Sequence, residues 1–325
     1  MRWRSLATAL VIMAAACIAP SADACAENYP DRPVRLIIGS AAGGTLDTLA
    51  RLIAQKLTQE WGRSVVVENR PGGGGNIGAT ASTRSPPDGY TIHFGAQSLA
   101  VSVSIAPSHD FDPVKDFEPV ILLATAQDVL MVPPDSAAST VQDLISYARA
   151  RPGALNYASL GTGSSGHLAT VLFSDLTGLK LQHVPYSSLS QAVTDIMAGR
   201  ISLWIATLGG HLGTIQAGRV RALAVSGESR AAQLPSVPTF KEAGVPFVEE
   251  STWFGVFAPK RTPKDIVARI NRDIGRILEL PDMQERSATL GYRLVGGAPE
   301  RLKTKLESEI VKWAQIARSA SLTAH

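Results

Sequence analysis

Cysteine is almost absent from this chain. Only Cys17 and Cys25 occur among its 325 residues, and both lie close to the N-terminus. A basic start, an apolar run over residues 6–18 and small residues after it are typical of a secretory signal peptide. The apolar run is too short to span a bilayer. Residues 1–26 are therefore predicted to be a signal peptide, and the mature chain is predicted to be exported.

The predicted mature chain, which starts at Glu27, contains no cysteine. Neither a disulfide nor a cysteine-ligated metal is then available to it. The alternative is a lipoprotein in which Cys17 or Cys25 carries the lipid. The residues before both cysteines lack the branched aliphatic side chain that is usual at such a site.

The chain also has little net charge. Its 31 basic and 28 acidic residues give +3, and removal of Arg2, Arg4 and Asp23 with the signal peptide leaves 29 against 27. Nucleic-acid binding needs a strongly basic stripe, so no nucleic-acid partner is expected. No second run approaches the roughly 20 apolar residues of a membrane helix. The remaining length exceeds what one core usually covers, which predicts two lobes.

Short strand-like runs alternate with helical patterns, which predicts an α/β fold. Several runs are continuously apolar, as expected of strands that are buried on both faces. The predicted strands are residues 34–38, 65–68, 91–94, 121–124, 129–132, 155–158, 181–184, 203–206, 222–226 and 254–258. The predicted helices are residues 45–60, 140–151, 188–198, 263–278 with Thr262 as N-cap, and 299–320.

Prolines indicate where the chain changes lobes, because they cluster just after residue 132 and again before residue 251. Lobe 1 is predicted to comprise residues 27–125 and 251–325, and lobe 2 residues 126–250. Strands that cross between lobes form a hinge, and the cleft between lobes is a usual place for a ligand.

Two glycine-containing loops carry most of the functional information. The first glycine loop is residues 39–45, Gly-Ser-Ala-Ala-Gly-Gly-Thr, and the second is residues 161–167, Gly-Thr-Gly-Ser-Ser-Gly-His. Each lies between a predicted strand and a helical pattern. Backbone N–H groups, hydroxyls and the helix dipole at such a loop favour a carboxylate or phosphate. The pair suggests a small anion that is clamped between two lobes, although each loop alone could simply turn the chain.

A third glycine segment, residues 70–78, matches the pattern G-x-G-x-x-G from Gly73. A dinucleotide site needs a strand directly before that pattern, whereas Asn-Arg-Pro intervenes here. The exported compartment also argues against a bound nicotinamide. A tight turn that leads into a helix is therefore predicted.

Residues 163–167 resemble a hydrolase elbow, but the spacing does not fit G-x-S-x-G. No enzymatic activity is expected, and a secreted serine hydrolase that uses Ser164 or Ser165 stays as the alternative. The histidines show no metal-ligand spacing, so neither a metal nor another cofactor is expected. They are His93, His109, His167, His183, His211 and His325.

Short motifs follow one another along nearly the whole mature chain. They are Tyr29-Pro30, Pro33-Val34-Arg35, Ala42-Gly43-Gly44-Thr45 with Asp47, Val66-Val67-Glu68-Asn69-Arg70-Pro71-Gly72, Gly75-Asn76-Ile77-Gly78, Pro87-Asp88-Gly89-Tyr90-Thr91, Asp112-Pro113-Val114-Lys115-Asp116-Phe117, Asn156-Tyr157-Ala158-Ser159, His183-Val184-Pro185-Tyr186, Arg221-Ala222-Leu223-Ala224-Val225 and Trp253-Phe254-Gly255. In this order they resemble the Bug-type extracytoplasmic solute receptors of tripartite tricarboxylate transporters.

The resemblance implies a periplasmic-binding-protein fold of two α/β lobes joined by a crossing-strand hinge. Such receptors close on a small carboxylate and deliver it to a membrane permease, or present it to a sensor kinase. One ligand carboxylate is expected to contact residues 42–47 and 161–167, where Asp47 either contacts the ligand or fixes its own loop. The candidate ligand-binding residues are Ala42, Gly43, Gly44, Thr45, Asp47, Gly161, Thr162, Gly163, Ser164, Ser165, His167, Tyr186, Trp204 and Thr207.

Departures from the family pattern bear on the ligand. Ser187 replaces the usual lysine, and Ser202 and Ala206 replace usual acidic residues. The missing acids argue against a ligand with an ammonium group, because its counter-charge would be absent. Trp204 and Leu208 then favour a ligand with an apolar or aromatic body, with packing in the core as the alternative role of Trp204.

Overall fold

The computed structural model describes residues 29–105, 110–246 and 252–319. The predicted signal peptide, both cysteines, His109 and His325 lie outside these residues, as do parts of the predicted lobe boundary near residue 250.

Strands and helices alternate along most of the described chain. The strands are β1 (Val34–Ile38), β2 (Val65–Asn69), β3 (Thr91–Ala96), β4 (Phe117–Ala126), β5 (Asp128–Val132), β6 (Asn156–Ser159), β7 (Gln182–Pro185), β8 (Trp204–Thr207), β9 (Arg221–Val225), β10 (Trp253–Pro259) and β11 (Tyr292–Leu294). The α-helices are α1 (Thr45–Trp61), α2 (Asn76–Thr83), α3 (Ser98–Ile105), α4 (Val141–Arg149), α5 (Ser165–Thr177), α6 (Leu189–Met197), α7 (Leu212–Gln216), α8 (Lys264–Glu279), α9 (Pro281–Thr289) and α10 (Pro299–Ser319). Short 3-10 turns occupy Gly73–Gly75 and Leu208–Gly210.

The first sheet has six strands in the order β11-β4-β10-β3-β1-β2. Strand β1 is parallel to β2 and to β3, and β10 is antiparallel to both β3 and β4. The carboxyl ends of β1, β2, β3 and β4 therefore lie at one edge of this sheet. Connections that follow these ends meet in space.

The second sheet is built from strands between residues 128 and 225. Its three-stranded part has the order β8-β5-β9, and β6 pairs in parallel with β7. A parallel bridge from Tyr157 to Leu203 joins the two parts. The carboxyl ends of β6, β7 and β8 consequently share an edge with the first residue of β5, which runs antiparallel to β8.

The chain passes between the sheets twice. Strand β4 ends at Ala126 in the first sheet, and β5 begins at Asp128 in the second. The return precedes β10, and the Thr252 carbonyl accepts a hydrogen bond of 2.9 Å from the Ala126 N–H. This strand order supports the division into two lobes; the boundaries at residues 125/126 and 250/251 stay predictions.

Each sheet is buried on both faces, as the continuously apolar runs predict. On the first sheet, one face packs under α1 and α8 and includes Leu49 and Ile270, while the other packs under α3 and α10 and includes Phe117 and Leu302. Two further apolar clusters cover the faces of the second sheet. The strands and the loops between them are thereby held in fixed positions.

The predicted strands and helices are confirmed with small shifts at their ends. One detail is wrong: Pro263, not Thr262, is the N-cap of α8, because the Thr262 hydroxyl donates to the Pro259 carbonyl at 2.7 Å. Four elements were not predicted, namely α3, α7, α9 and β11. Helix α3 is apolar over most of its length, so it lacks the amphipathic period that identifies a surface helix.

Candidate functional site

Both glycine loops lie at the carboxyl edges of their sheets. The first follows β1 and leads into α1, whose N-cap is Gly44. The second follows β6 and leads into α5, whose N-cap is Ser164. Neither N-cap residue makes a side-chain capping hydrogen bond. The first-turn N–H groups of α1 and α5 are thus directed outward without a side-chain acceptor, as an anion site requires.

The first glycine loop is held by a charged network around Asp47. This carboxylate accepts hydrogen bonds from the Gly43 N–H at 2.9 Å, from Arg51 Nε at 2.9 Å and from Asn69 Nδ2 at 2.9 Å. Asn69 Nδ2 also donates to the Ser40 carbonyl at 3.0 Å. Asp47 is 3% exposed. The network therefore fixes the position of the first glycine loop. Of the two roles expected for Asp47, contact with the ligand or fixation of its own loop, these bonds favour the latter.

The pKa of Asp47 reflects this network. Burial is the largest single influence and would raise the pKa, but hydrogen bonds from Arg51, Gly43 and Asn69 outweigh it and leave the pKa below its usual value. The carboxylate is therefore ionised at neutral pH. Its negative charge interacts with hydrogen-bond donors of its own lobe, namely Gly43, Arg51 and Asn69.

The second glycine loop is held by neutral groups instead. His167 Nδ1 accepts from the Gly163 N–H at 3.2 Å, and the His167 ring lies 4.3 Å from the ring of His183. His183 Nε2 lies 2.6 Å from the Ser159 hydroxyl, and Tyr157 stacks on His183 at 5.0 Å. Burial first, and then the charge of His183, lower the pKa of His167 to about 4. The ring is therefore uncharged at neutral pH and free to accept from Gly163.

Glycines make the tight turns of both loops possible. Gly43, Gly161 and Gly163 have φ values of 81°, 107° and 80°, a region that side chains other than glycine rarely adopt. Gly44 differs, because its φ is −78° and a Cβ built there would meet only the Ala41 carbonyl oxygen, at 3.7 Å. Neither the backbone angle of Gly44 nor the described residues around it therefore require a glycine, and a side chain there would extend into the space in front of α1.

Each glycine loop contacts a turn that belongs to the other lobe. A Cβ built on Gly74, in the turn after β2, would lie 2.8 Å from the Thr162 carbonyl oxygen. A Cβ built on Gly210, in the turn after β8, would lie 2.9 Å from Thr45 Oγ1. These contacts bring the two predicted loops to opposite sides of one junction. The approach is tightest at Gly209, where a built Cβ would lie 2.1 Å from the Leu290 carbonyl oxygen of the first lobe.

Ser40 supplies an unsatisfied group in the first glycine loop. Its hydroxyl oxygen is buried and has no hydrogen-bond partner within the described residues. A buried hydroxyl without a partner is costly, so it indicates a group that bonds to something else. Ser40 is in the predicted loop but not among the candidate ligand residues.

Three candidate residues, Tyr186, Trp204 and Thr207, lie outside the two glycine loops. The Tyr186 hydroxyl donates to Asp195 Oδ2 at 2.6 Å, within the same lobe. Trp204 is 1% exposed and packs edge-on against His211 at 4.5 Å, which favours a core role. Thr207 ends β8 at the carboxyl edge, and its hydroxyl lies 3.5 Å from that of Thr252. Ala42, Ser165 and the other loop residues lie in the two glycine loops themselves.

The positions where acids are missing lie at different places. Ser202 lies before the amino end of β8, opposite the edge that carries the second glycine loop, and its N–H and hydroxyl donate to Asn156 Oδ1. Ala206 is buried in an apolar cluster next to Thr207, and Leu208 is fully buried. Ser202 therefore does not adjoin the second glycine loop, and the expectation of a ligand without an ammonium group stays a prediction.

The described part of the chain shows neither a hydrolase-like pairing of Ser164 or Ser165 with a histidine nor a cluster of metal ligands. Neither Ser164 nor Ser165 hydrogen-bonds to a histidine there; the Ser164 hydroxyl donates to the Gly161 carbonyl at 2.7 Å. No cluster of histidine, cysteine or acidic residues suited to a metal ion occurs among those residues. None of their helices is both long and apolar enough to cross a bilayer.

The fold and the site define a class of protein: two α/β lobes with a glycine loop and a helix N-terminus on each side of their junction. The fold is that of periplasmic binding proteins. A family model described as the tripartite tricarboxylate transporter family receptor matches residues 49–322. The chain belongs to this family, whose members are periplasmic solute-binding receptors and typically not enzymes.

Relatives and solved structures agree with this assignment. Protein BugT of Bordetella pertussis is 35% identical over 317 residues, which are 97% of each chain. The R. palustris protein Rpa4515, solved with adipate, gives a TM-score of 0.86 at 37% identity over 90% of this chain and 98% of its own. MatC from Rhodopseudomonas palustris, solved with malate, gives 0.84 at 29% identity over 89% of this chain and 99% of its own.

Proposed function

We propose that this protein is a periplasmic receptor that captures a small carboxylate between the two glycine loops and delivers it to a tripartite tricarboxylate-type membrane permease. The observation that carries the proposal is the pair of uncapped helix N-termini, at Gly44 and Ser164, on opposite sides of one junction. The adipate and malate bound by the two similar proteins support the carboxylate class.

The chemistry of capture follows from the loops. A carboxylate placed between them accepts hydrogen bonds from first-turn N–H groups of α1 and α5, and both helix dipoles favour its charge. Ser40 donates the further bond that its buried hydroxyl lacks. Each hydrogen bond to a charged group contributes about 1.5–3 kcal/mol, so a few of them account for micromolar binding, which corresponds to roughly 8 kcal/mol.

Delivery depends on the relative position of the lobes. The contacts Gly74–Thr162 and Gly210–Thr45 form only when the lobes are close, and a ligand that touches both loops favours that arrangement. The permease recognises the closed state. The same closed state could be presented to a sensor kinase, as the alternative output.

Binding without turnover is part of the proposal. The Ser164 hydroxyl donates to the Gly161 carbonyl, and Ser159, which lies next to His183, is 0% exposed. Neither serine is therefore arranged as an exposed nucleophile paired with a histidine.

A thermal-shift screen followed by calorimetry tests the function. The purified protein is challenged with aliphatic, aromatic and amino carboxylates, including adipate and malate. Saturable stabilisation by a carboxylate is expected, at about 2.7 kcal/mol for a ligand concentration one hundred times the dissociation constant.

Two results would contradict the proposal. One is the absence of any carboxylate binding by the folded protein. The other is turnover of ester substrates that is lost in Ser164→Ala or Ser165→Ala, which would instead support the hydrolase.

A further inference from the structure

Asp128 is a buried carboxyl at the junction of the lobes. It is the first residue of β5 and pairs with Thr207, the last residue of β8, so both lie at the edge that carries the second glycine loop. Directly paired residues of antiparallel strands point to the same face. The turn that follows Thr207 contacts Thr45 of α1. Asp128 thus lies at the lobe junction, on the sheet edge that carries the second glycine loop.

Residues of both crossings surround this carboxyl. Asp128 Oδ1 accepts a hydrogen bond of 3.4 Å from Thr252 Oγ1, on the returning crossing, and Thr207 Oγ1 donates to the same Thr252 hydroxyl at 3.5 Å. The Asp128 N–H and carbonyl are bonded to Ser226. Asp128 is 6% exposed. Its partners are long, neutral hydroxyl contacts, which leave hydrogen-bonding capacity unused.

No cation of the described residues compensates for the charge of Asp128. Burial raises its pKa to about 6, against smaller opposing effects of the Thr207 and Thr252 hydroxyls. A carboxyl with this pKa changes its charge between pH 5 and 7. It is neutral in acid and ionised at neutral pH.

Other titratable groups near the cleft behave differently in this pH range. Asp47 of α1 has a lowered pKa and is paired with Arg51. The pKa values of His167 and His211 are both lowered by burial to about 4, and that of His183 is also lowered by burial. Arg293 of β11 donates to Thr125 on the outgoing crossing. Asp128 is therefore distinguished from its neighbours by a pKa raised into the range of ordinary buffers.

We infer that Asp128 is a specificity-determining residue that faces the far polar group of the bound carboxylate and couples capture of a dicarboxylate to uptake of a proton. This inference rests on the proposed function. A second carboxylate beside Asp128 requires the protonated acid, which donates a hydrogen bond to it. An ammonium or hydroxyl at that end is instead favoured by the ionised form.

A pair of ligands that differ at one end tests the inference. Dissociation constants for adipate and 6-aminohexanoate are measured by calorimetry at about pH 6 and pH 7.5, where the carboxyl groups of both ligands stay mostly ionised. As pH rises, adipate affinity is expected to fall by on the order of tenfold, and 6-aminohexanoate affinity to rise about twofold. Adipate binding at pH 7.5 is expected to take up about one proton, seen as a dependence of the binding heat on the buffer.

Variants assign the effect to Asp128. The isosteric Asp128→Asn does not titrate, so its affinity for each probe is expected to be the same at both pH values. Asp135→Asn, at an exposed position after β5, is the matched control and is expected to behave as the wild type. Wild-type adipate binding without pH dependence or proton uptake would overturn this inference alone. Failure of the folded protein to bind any carboxylate would overturn the proposed function with it.

Discussion

The two glycine loops share one proposed task but are held in place by different forces. The first is fixed by charge, through the bonds of Asp47 to Gly43, Arg51 and Asn69. The second is fixed by uncharged rings, through His167 on Gly163 and the stack with His183. The comparison shows that a glycine loop at a helix N-terminus can be held either by a compensated charge or by uncharged rings.

Acid weakens both supports, but at different pH values. Asp47 keeps its charge until pH falls through its lowered pKa, so the first loop keeps its network in mild acid. His167 must be unprotonated at Nδ1 to accept from Gly163. Acid therefore weakens the second loop before the first.

Glycine-to-valine changes in the two loops are expected to have the largest effect. Gly44→Val and Gly163→Val each place a side chain where the carboxylate is proposed to bind, and each should weaken binding more than about 100-fold, or roughly 2.7 kcal/mol. Calorimetry with the best ligand of the screen measures this loss. Gly213→Ala, where a Cβ meets nothing within 4 Å, is the control.

The variants Gly44→Val and Gly163→Val are also expected to differ in the stability of the unliganded protein. Gly44 has a negative φ, so Gly44→Val should melt near the wild-type temperature, whereas Gly163, at φ 80°, should lose about 1–2 kcal/mol on substitution. Wild-type affinity in both variants would contradict the proposed clamp.

Acid stability is the next largest effect. The folded-state pKa of His167, about 4, is below the unfolded value of about 6.5, so its contribution is complete above pH 6.5 and is lost as pH falls toward 4. His167→Asn does not titrate and keeps an acceptor for Gly163 near the position of Nδ1, so this variant should lose roughly 2 kcal/mol less stability than the wild type over that pH range. Thermal melts of both proteins between about pH 4 and 7 measure it. Parallel curves would show that His167 does not couple the second loop to pH.

Much of the fold was predictable from the sequence because its signals are local. Apolar runs identified the strands, and glycines after them identified both loops. Strand β11 has only three residues, Tyr292–Leu294, and is formed by pairing with β4 rather than by its own pattern. Its position depends on contacts between residues that are far apart in the chain.

The candidate site was predictable only in part, for the same reason. Gly74, Gly209 and Asp128 reach the junction through the packing of one lobe against the other, which no spacing in the sequence reveals. Trp204 sits in a strand whose two faces are both covered, so its burial could not be distinguished from exposure to a cleft. Ser40 lacks a partner only in the folded chain.

A substitution at the lobe contact tests whether closure matters to both loops. Gly209 does not have a positive φ, so Gly209→Ala should fold normally, but its Cβ would clash with the Leu290 carbonyl across the junction. Affinity should fall about tenfold, or roughly 1.4 kcal/mol, without a change in the melting temperature of the unliganded protein. Gly213→Ala again serves as the control, and unchanged affinity would show that this contact is not part of closure.

Ser40→Ala should have the smallest effect. It removes one donor to the ligand carboxylate, and a water that replaces the hydroxyl recovers part of that bond's contribution of about 1.5–3 kcal/mol, so affinity should fall roughly fivefold. Because the hydroxyl has no partner among the described residues, the unliganded protein should keep or slightly gain stability. A loss of stability without a loss of affinity would give Ser40 a structural role instead.

The central claim, one carboxylate held by both loops, is tested most directly by backbone amide NMR during a ligand titration. The N–H resonances of residues 44–47 and 164–167 should shift together and yield a single dissociation constant. Shifts confined to one loop would contradict the account. So would shifts at a different place, such as the cavity of about 540 Å³ between β11 and α10 that is lined by Arg293, Arg301 and Lys305.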